Sequence, residues 1–185
     1  MHYILILVVL FFFTVVILFH RMNFKEILKG QISSFSNYQD DSTSKIESVS
    51  FFLFPLLLSI FINLYIGIND TLLGSLMVVF SIFTGLLLNL LLLIFDLSQK
   101  HTDKSIRKFL KEIFHGIYFS IFISMIIAAI SIISELNFSI LFKEKVVETL
   151  SLFVNIFVIY LVILFIINLF IILKRIHSLL AFELK

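Results

Sequence analysis

Five long runs without a charged side chain divide the chain, at residues 3–19, 51–68, 72–95, 113–134 and 149–173. Within them the one Asp, Glu, Lys, Arg or His is His115, at the edge of the fourth run. The runs are apolar on every face, with neither the one-sided stripe of a surface helix nor the dyad alternation of a barrel strand. Each approaches or exceeds the ~20 residues a helix needs to cross a ~30 Å hydrocarbon core. Backbone groups in lipid must be satisfied within the segment, so the runs read as helices. Only Met1 and His2 precede the first run, and no small-residue cleavage pattern follows it at Phe19, His20 and Arg21. It therefore reads as a retained helix and not as a signal peptide.

The polar segments between the runs set an expected orientation. Residues 20–50, 96–112 and 174–185 hold 12 of the 14 Lys and Arg residues, leaving Lys143 and Lys145 on the other side. Basic residues favour the cytoplasm. Five spans with the N-terminus outside and the C-terminus inside place all three basic segments there. No connecting segment reaches the ~50 residues of a folded soluble domain. The expected fold is all-α: a polytopic helical membrane protein, a single domain over residues 1–185, with about five transmembrane helices and no soluble domain.

Composition agrees. Of 185 residues, 61% are hydrophobic and 14% charged, which excludes a soluble globular domain (~45–50% apolar, ~25% charged). The 24 Phe exclude a disordered chain. With 0 Cys there is no disulfide, thiolate metal site or cysteine nucleophile. With 0 Trp any interfacial belt is Tyr and Phe.

The connectors carry local signals. Phe24, Ile27 and Leu28 line one face of an expected short amphipathic helix over Met22–Gly30, with Lys25, Glu26 and Lys29 beside them. Such a helix can lie in the membrane interface. Ser33–Ser50, rich in Ser, Asn, Gln and Asp, reads as a flexible linker. Together they read as a solvated connector or as a docking surface for a cytosolic partner. Asn69-Asp70-Thr71 closes an expected tight hairpin between spans two and three. Thr102 or Asp103 is expected to cap a helix that runs directly into the fourth span. Lys104, Arg107, Lys108 and Lys111 decorate that helix and fit a partner, acidic lipid headgroups, or ordinary cytoplasmic charge bias. Pro55 is expected within the first turn or so of its span, where proline is tolerated.

Membrane helices meet through small and polar residues. The third span offers Gly74, Val78, Ser81, Gly85, Asn89 and Leu92 on one face. The fourth offers Gly116, Ser120, Ser124 and Ala128 at four-residue spacing, with Ser131 nearby. Both stripes are expected to be helix–helix contacts, within or between subunits. The first span, with only Thr14 as a polar interior group, is expected at the lipid-facing periphery. Asn63, Asn89, Asn155 and Asn168 lie inside spans, either as interhelical glue or as the polar ring of an oligomeric pore. His20, His101, His115 and His177 fall near the expected cytoplasmic boundary, without metal-ligand spacing on one helix face.

No H-E-x-x-H, G-x-S-x-G or P-loop occurs. Asp96 and Glu135 end the third and fourth spans on opposite sides, so they cannot act as a pair. These features argue against an enzyme, and no cofactor, metal or direct nucleic-acid binding is expected.

The stretch SLMVVFSIFTGLLLNLLLLIFDLSQK (Ser75–Lys100), followed by IRKFLKEIFHGIYFSIFISMII (Ile106–Ile127), resembles small multi-pass membrane proteins of bacterial antiphage operons. The membrane subunit of Kiwa systems and the channel-forming effectors of nucleotide-activated systems are examples. The resemblance covers about a third of the chain and assigns no functional residue. It implies a homo-oligomer such as a tetramer in the bacterial inner membrane, sensing envelope disturbance or opening a pore. It also implies a cytosolic protein partner that carries the chemistry. The alternatives are a holin-like or toxin-like permeabiliser acting alone, and an accessory subunit of a transporter or envelope complex.

Overall fold

Long apolar runs bounded by short polar turns leave the backbone one way to satisfy itself, and the chain takes it. A computed structural model describes residues 27–32, 41–65, 70–100, 103–134 and 144–183. Apart from Asp103, all of these are helical: α1 (27–32), α2 (Asp41–Tyr65), α3 (Asp70–Lys100), α4 (Lys104–Ser134) and α5 (Glu144–Glu183). No strand occurs among the described residues. Three stretches are long and apolar enough to cross a membrane: Leu72–Lys100, Lys104–Ser134 and Ser151–Leu179. They contain the expected runs 72–95, 113–134 and most of 149–173. The apolar part of α2, Val49–Tyr65, is shorter. The expected span 3–19, with Thr14, and the hairpin residue Asn69 lie outside the described residues.

Asp103 is the cap that turns α3 into α4. Its Oδ1 accepts from the Ser105 N–H at 2.9 Å and the Ser105 hydroxyl at 2.7 Å, and its carbonyl accepts from the Arg107 N–H at 3.0 Å. These bonds satisfy donors that a helix start leaves without an intrahelical partner. With so short a turn, α3 and α4 are antiparallel neighbours packed along their length. α4 also packs on α5, and α5 on α2. The middle position of α4 shows in burial: 56% of its most apolar stretch is buried, against 39% for α5 and 17% for α3.

The interface positions repeat at three and four residues. α5 turns Val158, Leu161, Phe165, Asn168, Ile172 and Leu179 inward, the spacing of left-handed helix packing. α3 contributes Leu73, Phe80, Leu87 and Ile94, one every seven residues. Phe165 joins the layers, with its ring edge-on to Phe80 (centroids 5.0 Å) and to Phe83 (5.5 Å). Edge-to-face pairs of this kind add about 1 kcal/mol beyond the area they bury.

Two expectations change in α2. The helix begins at Asp41, so the second half of the expected linker Ser33–Ser50 is helical. Extending a helix from an apolar nucleus costs far less than starting one, and the span from 51 onward supplies that nucleus. Pro55 consequently sits deep inside the helix and not in its first turn. It donates no N–H toward the Phe51 carbonyl, a loss that a membrane helix tolerates when neighbouring helices surround it. Pro55 and Ser59 are fully buried. Phe51 packs against Phe119 of α4 (centroids 6.4 Å), and the Ser59 hydroxyl donates to the Leu56 carbonyl at 2.8 Å.

Two glycines give a matched test of this packing. A Cβ at Gly116 would meet Ile172 Cγ1 at 3.1 Å, whereas one at Gly85 would meet nothing within 4 Å. Both gain the same helix propensity on substitution. Gly116→Leu is expected to cost about 1–3 kcal/mol through overpacking, and Gly85→Leu to leave the monomeric fold unharmed. Thermal unfolding of the two variants in detergent checks the difference.

Candidate functional site

The polar groups inside the bundle converge on Asn168. This residue lies in α5, about 9 Å along the axis from Lys174 toward the apolar interior, and is fully buried. Its Nδ2 donates to the Gly116 carbonyl at 2.8 Å and to Ser120 Oγ at 2.7 Å. Its Oδ1 accepts from Gln31 Nε2 at 2.6 Å. Both amide hydrogens and the carbonyl are thereby used. Three helices meet on one side chain: α4 through a backbone carbonyl and a hydroxyl, α5 through the asparagine, and α1 through the glutamine.

This arrangement explains the small residues of α4. Gly116, Ser120 and Ser124 are buried, Ala128 is half-buried and Ser131 is buried. At Gly116 the missing side chain lets Ile172 and the Gln31 amide approach. One turn further, Ser120 offers its hydroxyl to Asn168. At Ser124 the stripe meets α3, with its Oγ 2.8 Å from Thr84 Oγ1. Each of these two hydroxyls also lies near a carbonyl of its own helix, Ile121 at 2.8 Å and Phe80 at 2.7 Å. The α4 stripe is therefore a contact made within one chain.

α1 departs from the expected interfacial helix. Ile27 and Gln31, one turn apart, are buried in the bundle, while Lys29 and Ile32 are exposed. Gly30 sits so close to His115 that an added Cβ would fall 2.8 Å from the ring Nδ1. Residues 22–26 of the expected helix, with Phe24, lie outside the described residues. Gln31 ties the helix to the bundle, because its side-chain amide donates to Asn168 Oδ1. Sequence reasoning passed over Gln31, although Ile27 and Gln31 at four-residue spacing already share a face. It also passed over Thr84, and over Glu112, which is buried beside α5 where Arg175 Nη1 donates to its carbonyl at 3.3 Å.

The α3 stripe looks the other way. Gly74 is half-buried, and Val78, Ser81, Gly85, Asn89 and Leu92 are exposed. Within the chain, α3 turns the seven-residue row of Leu73, Phe80, Leu87 and Ile94 inward instead. Large apolar side chains gain more dispersion contact there than small ones. Ser81 donates to the Met77 carbonyl at 2.7 Å, so its hydroxyl is satisfied by its own helix. Asn63 and Asn155 are half-buried and Asn89 is exposed. Of the four span asparagines only Asn168 sits in a closed hydrogen-bond network among the described residues.

At the α4 start, Lys104, Arg107, Lys108 and Lys111 are all exposed. Among the described residues no group of three His, Cys, Asp or Glu could hold a metal ion. Compared with known proteins, the chain finds no matching family model, no matching curated protein and no matching solved structure.

The hub yields a quantitative expectation. A double-mutant cycle on Gln31→Leu and Asn168→Leu, read by unfolding in detergent, is expected to give a coupling of about 0.6–2 kcal/mol, the range of interhelical polar bonds in membrane proteins. Additive single effects would mean that the two amides do not meet.

Proposed function

We propose that the protein is a non-enzymatic membrane subunit that self-associates through the outward face of α3. The carrying observation is Asn89. It lies within an apolar helix, is exposed, and follows Ser81 and Gly85 at four-residue spacing on the same side. An amide left in hydrocarbon without partners is costly. Asparagine both donates and accepts, so Asn89 of one copy can satisfy Asn89 of another, while Gly85 allows close approach of the backbones.

The wider reading places about five spans in a bacterial inner membrane, with the N-terminus outside and the C-terminus inside. It makes the protein the membrane component of an antiphage defence system, acting as sensor and scaffold or as pore-forming effector. The resemblance of Ser75–Lys100 and Ile106–Ile127 supports this setting. In this reading a cytosolic protein partner carries any chemistry. If the α3 faces surround a common axis, the same Asn89 side chains line a path through the membrane, which is the pore version of the reading.

Asn89→Leu separates these roles. Mass determination in mild detergent is expected to show an oligomer for the native chain and a smaller species for the variant, with helicity and thermal midpoint unchanged. An unchanged oligomer with altered conductance would assign Asn89 to pore lining and not to the interface. A native chain that is monomeric and toxic when expressed alone would favour the holin-like alternative.

A further inference from the structure

Exposed cations on three separate helices gather at one end of the bundle. α4 opens with Lys104, Arg107, Lys108 and Lys111 at i, i+3, i+4 and i+7, which puts all four on one helical face. The other side of the same turns is held by protein, through buried Leu110 and Glu112 and through Ile106 and Phe109 packed on the core. On α1, Lys29 immediately precedes Gly30, which abuts His115, one turn beyond Lys111. On α5, Lys174 follows Ile172, which abuts Gly116, and precedes Arg175, which bonds the Glu112 carbonyl at 3.3 Å. These contacts hold the exposed Lys29 and Lys174 at the level of α4 residues 111–116.

The level matches a lipid boundary. The charge-free run of α4 begins at Ile113, just past Lys111. From Lys111 back to Lys104 the helix rises about 10 Å, comparable with the headgroup layer outside a ~30 Å hydrocarbon core. Exposed Leu92, Leu93 and Phe95 on α3, and Phe170 and Leu173 on α5, continue the apolar surface beyond this level. A molecule touching the cations from the side therefore also meets a surface suited to acyl chains.

We propose that Lys29, Lys104, Arg107, Lys108, Lys111 and Lys174 form a collar that binds the headgroups of anionic phospholipids. The collar spans three helices across the depth of a headgroup layer, which fits a ring of lipids better than one acidic protein segment. Anionic lipid bound there stabilises the docked position of α1, because Lys29 belongs to the same short helix as Gln31. The proposal is independent of self-association through α3.

The test uses the full chain purified in detergent, with phosphatidylglycerol or phosphatidylcholine added and retained lipid counted by native mass spectrometry. Phosphatidylglycerol is expected to be retained in preference to phosphatidylcholine, and to raise the thermal midpoint where phosphatidylcholine does not. Lys108→Gln with Lys111→Gln is expected to weaken that retention about fivefold per cation removed, whereas Lys108→Arg with Lys111→Arg keeps it. Should the double glutamine variant lose helicity, Lys174→Gln alone, on a different helix, is expected to show the single-cation loss. Equal retention of the two lipids by the native chain would overturn the proposal. So would retention unchanged in the glutamine variants, or displacement of phosphatidylglycerol by poly-glutamate, which would assign the face to an acidic protein.

Discussion

An amide that enters hydrocarbon must bring its hydrogen-bond partners with it, and the partners of Asn168 on α5 come from two other helices, α1 and α4. Water cannot substitute for any of them at that depth. The bond to the Gly116 carbonyl requires α4 and α5 to approach closely, which is why a glycine stands there and why Ile172 fits against it. The bond to Ser120 fixes the rotation of α4, and that rotation carries Ser124 toward Thr84 on α3. The bond from Gln31 draws in α1, a short helix that would otherwise have no reason to leave the interface. One side chain thus sets the register of the α4–α5 pair and the place of the segment before α2.

Around this hub, polar side chains are treated in two ways. Hydroxyls that point elsewhere bond carbonyls of their own helix, as Ser81 does with Met77, Ser131 with Ile127 and Ser178 with Lys174. Such serines can face lipid or protein at little cost. Amides cannot be satisfied by a single carbonyl of their own helix, since they carry two donors and an acceptor. Asn168 is satisfied within the chain, whereas Asn89 faces outward from the least buried of the three long helices. The bundle therefore has a closed side, organised by α4, and an open side on α3. Self-association through α3 is the reading that closes the open side.

Most of the architecture was legible in the chain because hydrocarbon imposes a length. Runs 72–95, 113–134 and 149–173 correspond to α3, α4 and α5, and the polar ends of those helices simply extend them. Asp103 was legible as one of two candidate caps, with Thr102, because the short turn leaves few residues to do that work. What faces what was harder to read. α3 is apolar all round, so nothing in its pattern distinguishes the row through Leu73 and Phe80 from the stripe through Ser81 and Gly85. Large side chains took the protein-facing side. Gln31 escaped notice because its meaning depends on Asn168, 137 positions away. The start of α2 at Asp41 escaped because polar residues joined to a long apolar helix take its conformation despite a composition typical of linkers.

That Asn168 holds α1 inside the bundle can be tested directly, because the chain has 0 Cys. Gly30→Cys and His115→Cys can be introduced together and treated in native membranes with a short thiol cross-linker. Lys29→Cys with His115→Cys serves as the control, since Lys29 is exposed. Efficient linkage of residues 30 and 115 is expected, with weak linkage of 29 and 115, and loss of the first when Asn168→Leu is added. Linkage at 30 no better than at 29, or linkage indifferent to Asn168→Leu, would contradict it.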